Sequence, residues 1–397
     1  MRKVYVIGTC DTKGDELRFA CACIARTGAK PVLVDVSTAK PDPDAEVTAE
    51  TVAMCHPGGK GAVLGLTDRG QAVSAMGEAL KRYLLARKDL GAVLGLGGSG
   101  NTAIVTEAMR ALPVGLPKVM VSTLASGNVA GFVGPTDIMM MHAVTDIAGL
   151  NAISRTVIGN AAHAVAGMVR TRVPKVRKSK PTVGYTMFGV TTACVNEIRR
   201  RLEPATESFV FHATGTGGQS FEKLAESGFF DGVLDITTTE VADYLVGGVL
   251  PCTADRFGAF IRQAIPYVGS VGACDMVNFG ARATVPPQFA KRKIHVHNAH
   301  VTLMRTTPEE NAKIGAFIVA RVNRMAGPVR FLLPLKGVSA IDVEGQPFHD
   351  PQADAALFDA IRQGWEKAKN RKLIELDLNI NDPAFAAAAV KAFKEIT

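Results

Sequence analysis

One repeated unit constrains this chain more than anything else in it: a short apolar run, a glycine or small polar turn, then a stripe at helical spacing. "KVYVIG" at 3–8 precedes "DELRFACACIARTG", where Leu17, Cys21 and Ile24 share a helical face and Gly28 stands at a C-terminal cap position. "KPVLVDVS" is the next strand-like run; 67–88 reads as a helix leading into "GAVLGLGG". A helix over 101–111, the run "KVMVSTLASG" and an alanine-rich helix over 151–170 follow. Strands alternating with helices predict a doubly wound, mainly parallel sheet with helices on both faces.

The rhythm stops in the basic stretch "RTRVPKVRKSK" at 170–180 and then restarts. "KPTVGYTMFGVTTACVNEIRRRLE" echoes the opening of the chain: apolar run, glycine, Thr-rich turn, helix. The expected architecture is therefore two Rossmann-like α/β domains, 1–172 and 181–397, joined by a linker at 173–180. A chain of 397 residues is long enough for two such cores. The echo between the halves fits duplication and fits convergence of α/β units equally well.

The formal charge of +8 is spread along the chain, and one Trp and five Tyr are not interleaved with it, which argues against nucleic acid and suits phosphates or carboxylates. Seven cysteines at irregular spacing, with no CxxC, read as small core hydrophobes of a reducing compartment. No leader precedes the first strand and no apolar stretch reaches about 18 residues, so a cytoplasmic protein without a membrane contact is expected.

Ligands of open α/β sheets bind beyond the carboxyl ends of the strands. In "GTCDTKGDE", Gly8 permits a tight turn, Thr9 and Thr12 offer hydroxyls, Asp11 a carboxylate and Lys13 a cation; Thr12 and Asp15 have the spacing of a helix cap. The loop is either nucleotide-contacting or a capped turn with solvated charges. In "GLGGSGNT", the amides of Gly97, Gly98, Ser99 and Gly100 can converge on an anion, and Asn101 and Thr102 add side-chain donors; the alternative is a plain turn. GxxxxGK[ST] is absent, so no Walker lysine is expected, and the glycines of 95–100, which do not follow the first strand of the chain, are not read as a dinucleotide fingerprint. Ser122, Thr123, Ser126, Gly127 and Asn128 in "STLASGN" would complete the ring of loops. Asp35 ends a strand where such folds place an acid for a ribose hydroxyl, or serves as a turn cap.

The second half has its own set. "HATGTGGQ" resembles "GLGGSGNT" in kind and suggests a second crevice. Glu240, Asp275, His295, His297 and Arg305 are candidate catalytic residues, with Arg305 as an anion clamp for a carboxylate or phosphate. "HVHNAH" places two imidazoles on one face of a strand, which suits a metal or a hydrogen-bonded histidine cluster; Glu240 or Asp275 would have to supply the acid ligands, and no metal site is assigned. The methionines of "GFVGPTDIMMMHAV" suit either a dimer interface or the core.

Taken together, "GTCDTKGDE", "LGLGGSGNT", "STLASGN", "FGVTTACV", "FHATGTGGQ", "LDITTTEVADYLVGG", "HNAHVTLMRTTPEEN" and "PLKGVSAIDVEGQPFHD" resemble, end to end, the ATP-binding domain family of the plant tobamovirus-resistance protein, which includes bacterial stand-alone members. The resemblance implies two α/β domains, ATP bound with magnesium by the loops at 8–13, 97–102 and 122–128 of the first, and a homodimer. The plant member's further C-terminal region and its antiviral role are not expected of this chain. Three functions stay open: an ATP-binding protein with a small-molecule site in its second domain, a nucleotide-sensing module without catalysis, and a metal-dependent hydrolase or isomerase centred on the histidines.

Overall fold

The computed structural model describes residues 2–171 and 179–397. The chain divides into two compact units, Met1–Val176 and Arg177–Thr397. The expected linker at 173–180 falls almost wholly on residues outside those described.

The first unit holds β1 (Lys3–Gly8), β2 (Lys30–Asp35), β3 (Leu90–Gly97), β4 (Lys118–Ser122) and β5 (Met139–His142). They form one parallel sheet in the order β2-β1-β3-β4-β5. Side-chain alternation splits its core in two. Tyr5, Ile7, Val93 and Met120 face the helices Arg69–Leu85 and Ser99–Ala111; Val4, Val6, Leu94 and Val121 face the helices Cys10–Arg26 and Ala152–Arg170. Burial on both faces explains why these strands read as continuous apolar runs rather than as alternating ones.

The second unit has a parallel six-stranded sheet built from β6 (Thr182–Met187), β7 (Glu207–His212), β8 (Gly232–Thr237) and β9 (Tyr267–Gly272), with two further strands named below. Between β9 and the next sheet strand the chain makes an antiparallel excursion: β10 (Met276–Phe279), β11 (Ile294–Asn298) and β12 (Val301–Arg305), paired in the order β10-β12-β11. β13 (Val329–Pro334) and β14 (Arg371–Leu376) then complete the order β14-β13-β9-β8-β6-β7. Val233, Tyr267 and Phe331 pack on one face and Leu234, Val268 and Leu332 on the other, each against helices. Both units are therefore mainly parallel α/β layers, as the repeated unit predicts.

Counted from its own first strand, each sheet begins 2-1-3-4-5. That order reverses direction beside the first strand, so a crevice opens between the loops that follow strands one and three. In the first unit these are the loops after β1 and β3. No described helix is long and apolar enough to cross a membrane.

Candidate functional site

At that reversal in the first unit lies a cleft of about 630 Å³, within the usual range of small-molecule pockets. Thr9, Asp11, Thr12 and Lys13 line one side; Gly98, Ser99, Gly100 and Asn101 line the other. Two of the sequence-predicted loops are thus brought together.

Local structure explains why the second loop is open. Gly98 is the N-terminal cap of the helix Ser99–Ala111 and no side chain caps it, so the first amides of that helix have no intrahelical acceptor. They sit at the positive end of a 13-residue helix. Gly97, at φ +155°, could not be replaced freely: a Cβ there would lie 2.7 Å from Cβ of Asn101. Asn101 folds back to donate its Nδ2 to the carbonyl of Leu96, which leaves its buried Oδ1 without a partner among the described residues. Thr102 Oγ1 bonds Ser122 Oγ at 2.7 Å and ties β3's loop to β4.

The first loop departs from the expected cap. The helix Cys10–Arg26 begins before Thr12, Thr9 provides no side-chain cap, and Lys13 is non-helical at φ −133°. The cap comes from Asp35 instead. Its carboxylate accepts from Cys10 N at 3.0 Å, Ser37 N at 2.9 Å, Ser37 Oγ at 2.6 Å and Asp42 N at 2.8 Å. Asp35 is wholly buried, so the expected ribose contact is corrected: this acid anchors a helix start and the 35–42 loop.

The remaining expected residues lie behind or beside the cleft. Gly8, Gly97, Thr102 and Ser122 are buried supports of the two loops, and Thr123 lies next to Gly98. Ser126, Gly127 and Asn128 are exposed and do not line the cleft; Asn128 caps its own turn by accepting from Ala130 N. The third loop therefore supports the crevice through Ser122 and Thr123, not through 126–128.

In the second unit the structure redistributes the candidates. Gly215 N donates to Glu240 Oε2 at 2.8 Å. The other oxygen of Glu240 accepts from Arg256 Nε at 2.5 Å, and Arg256 also pairs with Asp235 and Glu222 at 2.8 and 3.0 Å. A Cβ on Gly217 would fall 1.8 Å from the carbonyl oxygen of His212, so this turn closes tightly on its own backbone. The "HATGTGGQ" loop is not an open cradle, because Glu240 occupies the anion's place.

Arg305 is likewise spoken for. It is 3% exposed and donates to Asp354 at 2.6 Å, Thr306 Oγ1 at 3.0 Å and the carbonyl of Phe348 at 2.8 Å. Asp342 lies 3.4 Å from the same guanidinium. The anion-clamp expectation is corrected: its anions are internal. Asp275 is buried against Ser339 Oγ at 2.8 Å, with its Oδ1 unpartnered among the described residues. Burial first, and then the charge of Asp342, push the carboxyls of Asp275 and Asp354 upward. Asp243 is raised to about 7, mainly by burial.

His295 and His297 do share β11, with ring centroids 6.5 Å apart. Neither Glu240 nor Asp275 joins them, and among the described residues no group of three or more His, Cys, Asp or Glu side chains could hold a metal ion. His297 instead lines a second cavity, of about 410 Å³, together with His212 and His300.

Against this geometry, comparison with known proteins is informative. The N-terminal domain model of the uncharacterised protein family UPF0261 matches residues 2–174, and its C-terminal domain model matches residues 180–397. The chain belongs to UPF0261. A UPF0261 protein of Rhizobium meliloti (strain 1021) is 56% identical, covering 100% of this chain and 99% of the relative. A UPF0261 protein of Clostridium tetani (strain Massachusetts / E88) is 44% identical, with 98% of each chain covered. The ToMV resistance protein Tm-1(GCR237) of Solanum lycopersicum is 44% identical over the whole of this chain, which spans 56% of the tomato protein.

One cleft residue of this UPF0261 chain escaped the sequence reading: Arg69, which lines the cleft beside Thr67. A Cβ on Gly100 would lie 3.8 Å from its guanidinium. Among the described residues neither Arg69 nor Lys13 makes an ion pair. The signal was present. A cation at the first position of a helix opposes the macrodipole, and Arg69 opens the helix Arg69–Leu85 just after the capping Asp68.

Proposed function

We propose that the N-terminal unit binds ATP with magnesium in the cleft at the β1/β3 reversal. One observation carries this reading: an uncapped helix start and two cations without ion-pair partners among the described residues, Lys13 and Arg69, converge on one cleft with glycines at its wall. Phosphates satisfy all three features, since orphan amides, a positive helix end and basic side chains each favour negative charge. The choice of ATP among nucleotides follows from the family resemblance.

The residues present fit the group. The cleft has the volume, and among the described residues the buried Asn101 Oδ1 has no donor, which suits a ribose hydroxyl or a magnesium-bound water rather than the phosphates themselves. Asp11, with the hydroxyls of Thr9 and Thr12, would hold magnesium from the cleft's other wall; the ion supplies neutralisation of phosphate charge. Among the described residues Asp11 is the one carboxylate lining the cleft. That scarcity of proton acceptors favours, as a second reading, a nucleotide-responsive module with negligible turnover.

Calorimetric titration of the full chain with ATP and magnesium tests binding, and phosphate release measured in parallel tests turnover. Absence of saturable ATP binding sinks the first reading; steady turnover sinks the second. A cytoplasmic homodimer belongs to the same proposal. Its support is the edge strand β5, where Met139 is 41% exposed and Val144 beyond it 63%; sedimentation velocity tests it.

A further inference from the structure

We propose that the C-terminal unit carries a second small-molecule site, the cavity beyond the ends of β6 and β7, and that its ligand is a small carboxylic acid with an apolar or aromatic body. The inference does not depend on nucleotide binding in the other unit.

Position is the first ground. The cavity of about 410 Å³ is bounded by Phe188 and Gly189, directly after β6, by His212 at the end of β7, and by residues of the β10–β12 excursion. This is the carboxyl edge of a parallel sheet, where α/β folds place ligands, one strand outward from the reversal between β6 and β8. The excursion adds a wall that the sheet alone would not supply.

The lining defines the ligand. Phe188, Leu250, Phe279 and Leu303 provide apolar surface for a hydrophobic body. The polar groups are three imidazoles, His212 from the sheet and His297 and His300 from the excursion, with the neutral side chains of Thr214, Asn278 and Asn298. Among the described residues no Asp, Glu, Lys or Arg lines the cavity. A cationic ligand would find no counter-charge there. A phosphate dianion would lack the guanidinium or ammonium groups that usually hold it. A carboxylate needs only a few N–H donors, and imidazoles supply them in either protonation state. His212 is held edge-on against Phe188, with centroids 5.0 Å apart at 78°, and burial lowers its basicity.

Gly189 shows that the space is open to chemistry: a Cβ built there meets nothing within 4 Å. A ligand can therefore approach the backbone at this point.

The test is calorimetric titration of the full chain with benzoate, phenylacetate and isovalerate, each compared with its neutral primary amide. At least one acid is expected to saturate with Kd at or below about 1 mM and to bind at least about tenfold more tightly than its amide. Replacing the two histidines of the excursion, His297→Ala with His300→Ala, is expected to weaken the acid about tenfold. Gly189→Ile, which adds a side chain at the cavity's exposed rim, is expected to weaken binding at least about tenfold. Failure of all three acids to saturate, equal affinity for acid and amide, or acid binding untouched by the histidine pair overturns the proposal. Thermal melting of each variant shows whether the loss is local. If Gly189→Ile unfolds the chain, the exposed histidine pair decides alone.

Discussion

The backbone amide of Gly215 donates to the carboxylate of Glu240 at 2.8 Å, 25 residues further along the chain. A glycine turn of the kind that receives external anions elsewhere has been given an internal one, and Arg256 neutralises it from the other side. The two units thus carry similar turns in different states: one with uncapped amides at an open cleft, one closed by the protein itself.

Removing that internal anion should create a site for an external one. In Glu240→Ala, the Gly215 amide loses its acceptor and Arg256 one of its three partners. The C-terminal unit's melting transition is expected to fall by several degrees, at about 2–4 °C per kcal/mol for a unit of this size. Millimolar acetate should raise the variant's transition and leave the parent's unchanged, because only the variant binds it. Equal shifts in both proteins would mean that the turn collapses rather than opens.

Arg256 is expected to be the more damaging deletion. It is 3% exposed and holds three carboxylates that are themselves almost wholly shielded. Arg256→Met leaves these charges uncompensated, and breaking one side of a buried ion pair costs about 3–5 kcal/mol. Urea unfolding followed by tyrosine and tryptophan fluorescence measures it; a loss below about 1 kcal/mol would show the cluster to be protonated and neutral already.

In the first unit, Lys13→Ala and Arg69→Ala should each weaken ATP about tenfold or more, the scale of one charge-assisted hydrogen bond to phosphate. Gly98→Val tests the wall between them. A Cβ there has a single neighbour, Thr123 Oγ1 at 3.8 Å, so the side chain fits the fold and intrudes on the ligand. Titration calorimetry should show lost affinity with the melting temperature retained. Unchanged affinity in all three variants would move the nucleotide out of this cleft.

Stability of the C-terminal unit should fall as pH rises. Asp243 is raised from 3.8 to about 7 in the folded chain, and Asp275 and Asp354 move in the same direction. Between the ordinary carboxylate range and neutrality the folded state therefore holds more protons than the unfolded one, so unfolding free energy decreases through that interval. The stabilisation is complete below about pH 4 and gone above the folded values. Urea midpoints taken across the interval check the slope, and Asp354→Asn should flatten it. A slope of the opposite sign would show that ion pairing outweighs burial at these acids.

Much of this was legible in the sequence because βα units advertise themselves locally. An apolar run ending in glycine marked the ends of β1, β3 and β6, and those ends are where the cleft and the second cavity lie. Contacts across the sheet were not legible. Asp35 reaches Cys10 over 25 residues and Arg305 reaches Asp354 over 49, so residues that read as ligand-facing from spacing alone turn out to face inward. Strand order, which placed the crevice, is also a property of the assembled sheet. Arg69 shows the opposite failure, a local electrostatic oddity that was there to be read.

The antiparallel excursion between β9 and β13 is tied to the rest of its unit through β10, where Asn278 N donates to Asp243 Oδ1 at 2.7 Å and the Asn278 carbonyl accepts from Val249 N at 2.9 Å. Its outer strand, β11, pairs only with β12. Residues of β11, half-buried to exposed, can therefore be exchanged without shifting the register of the parallel sheet, whereas β10 and β12 are part of the core. The rim that β11 gives to the cavity is editable apart from the scaffold that holds it.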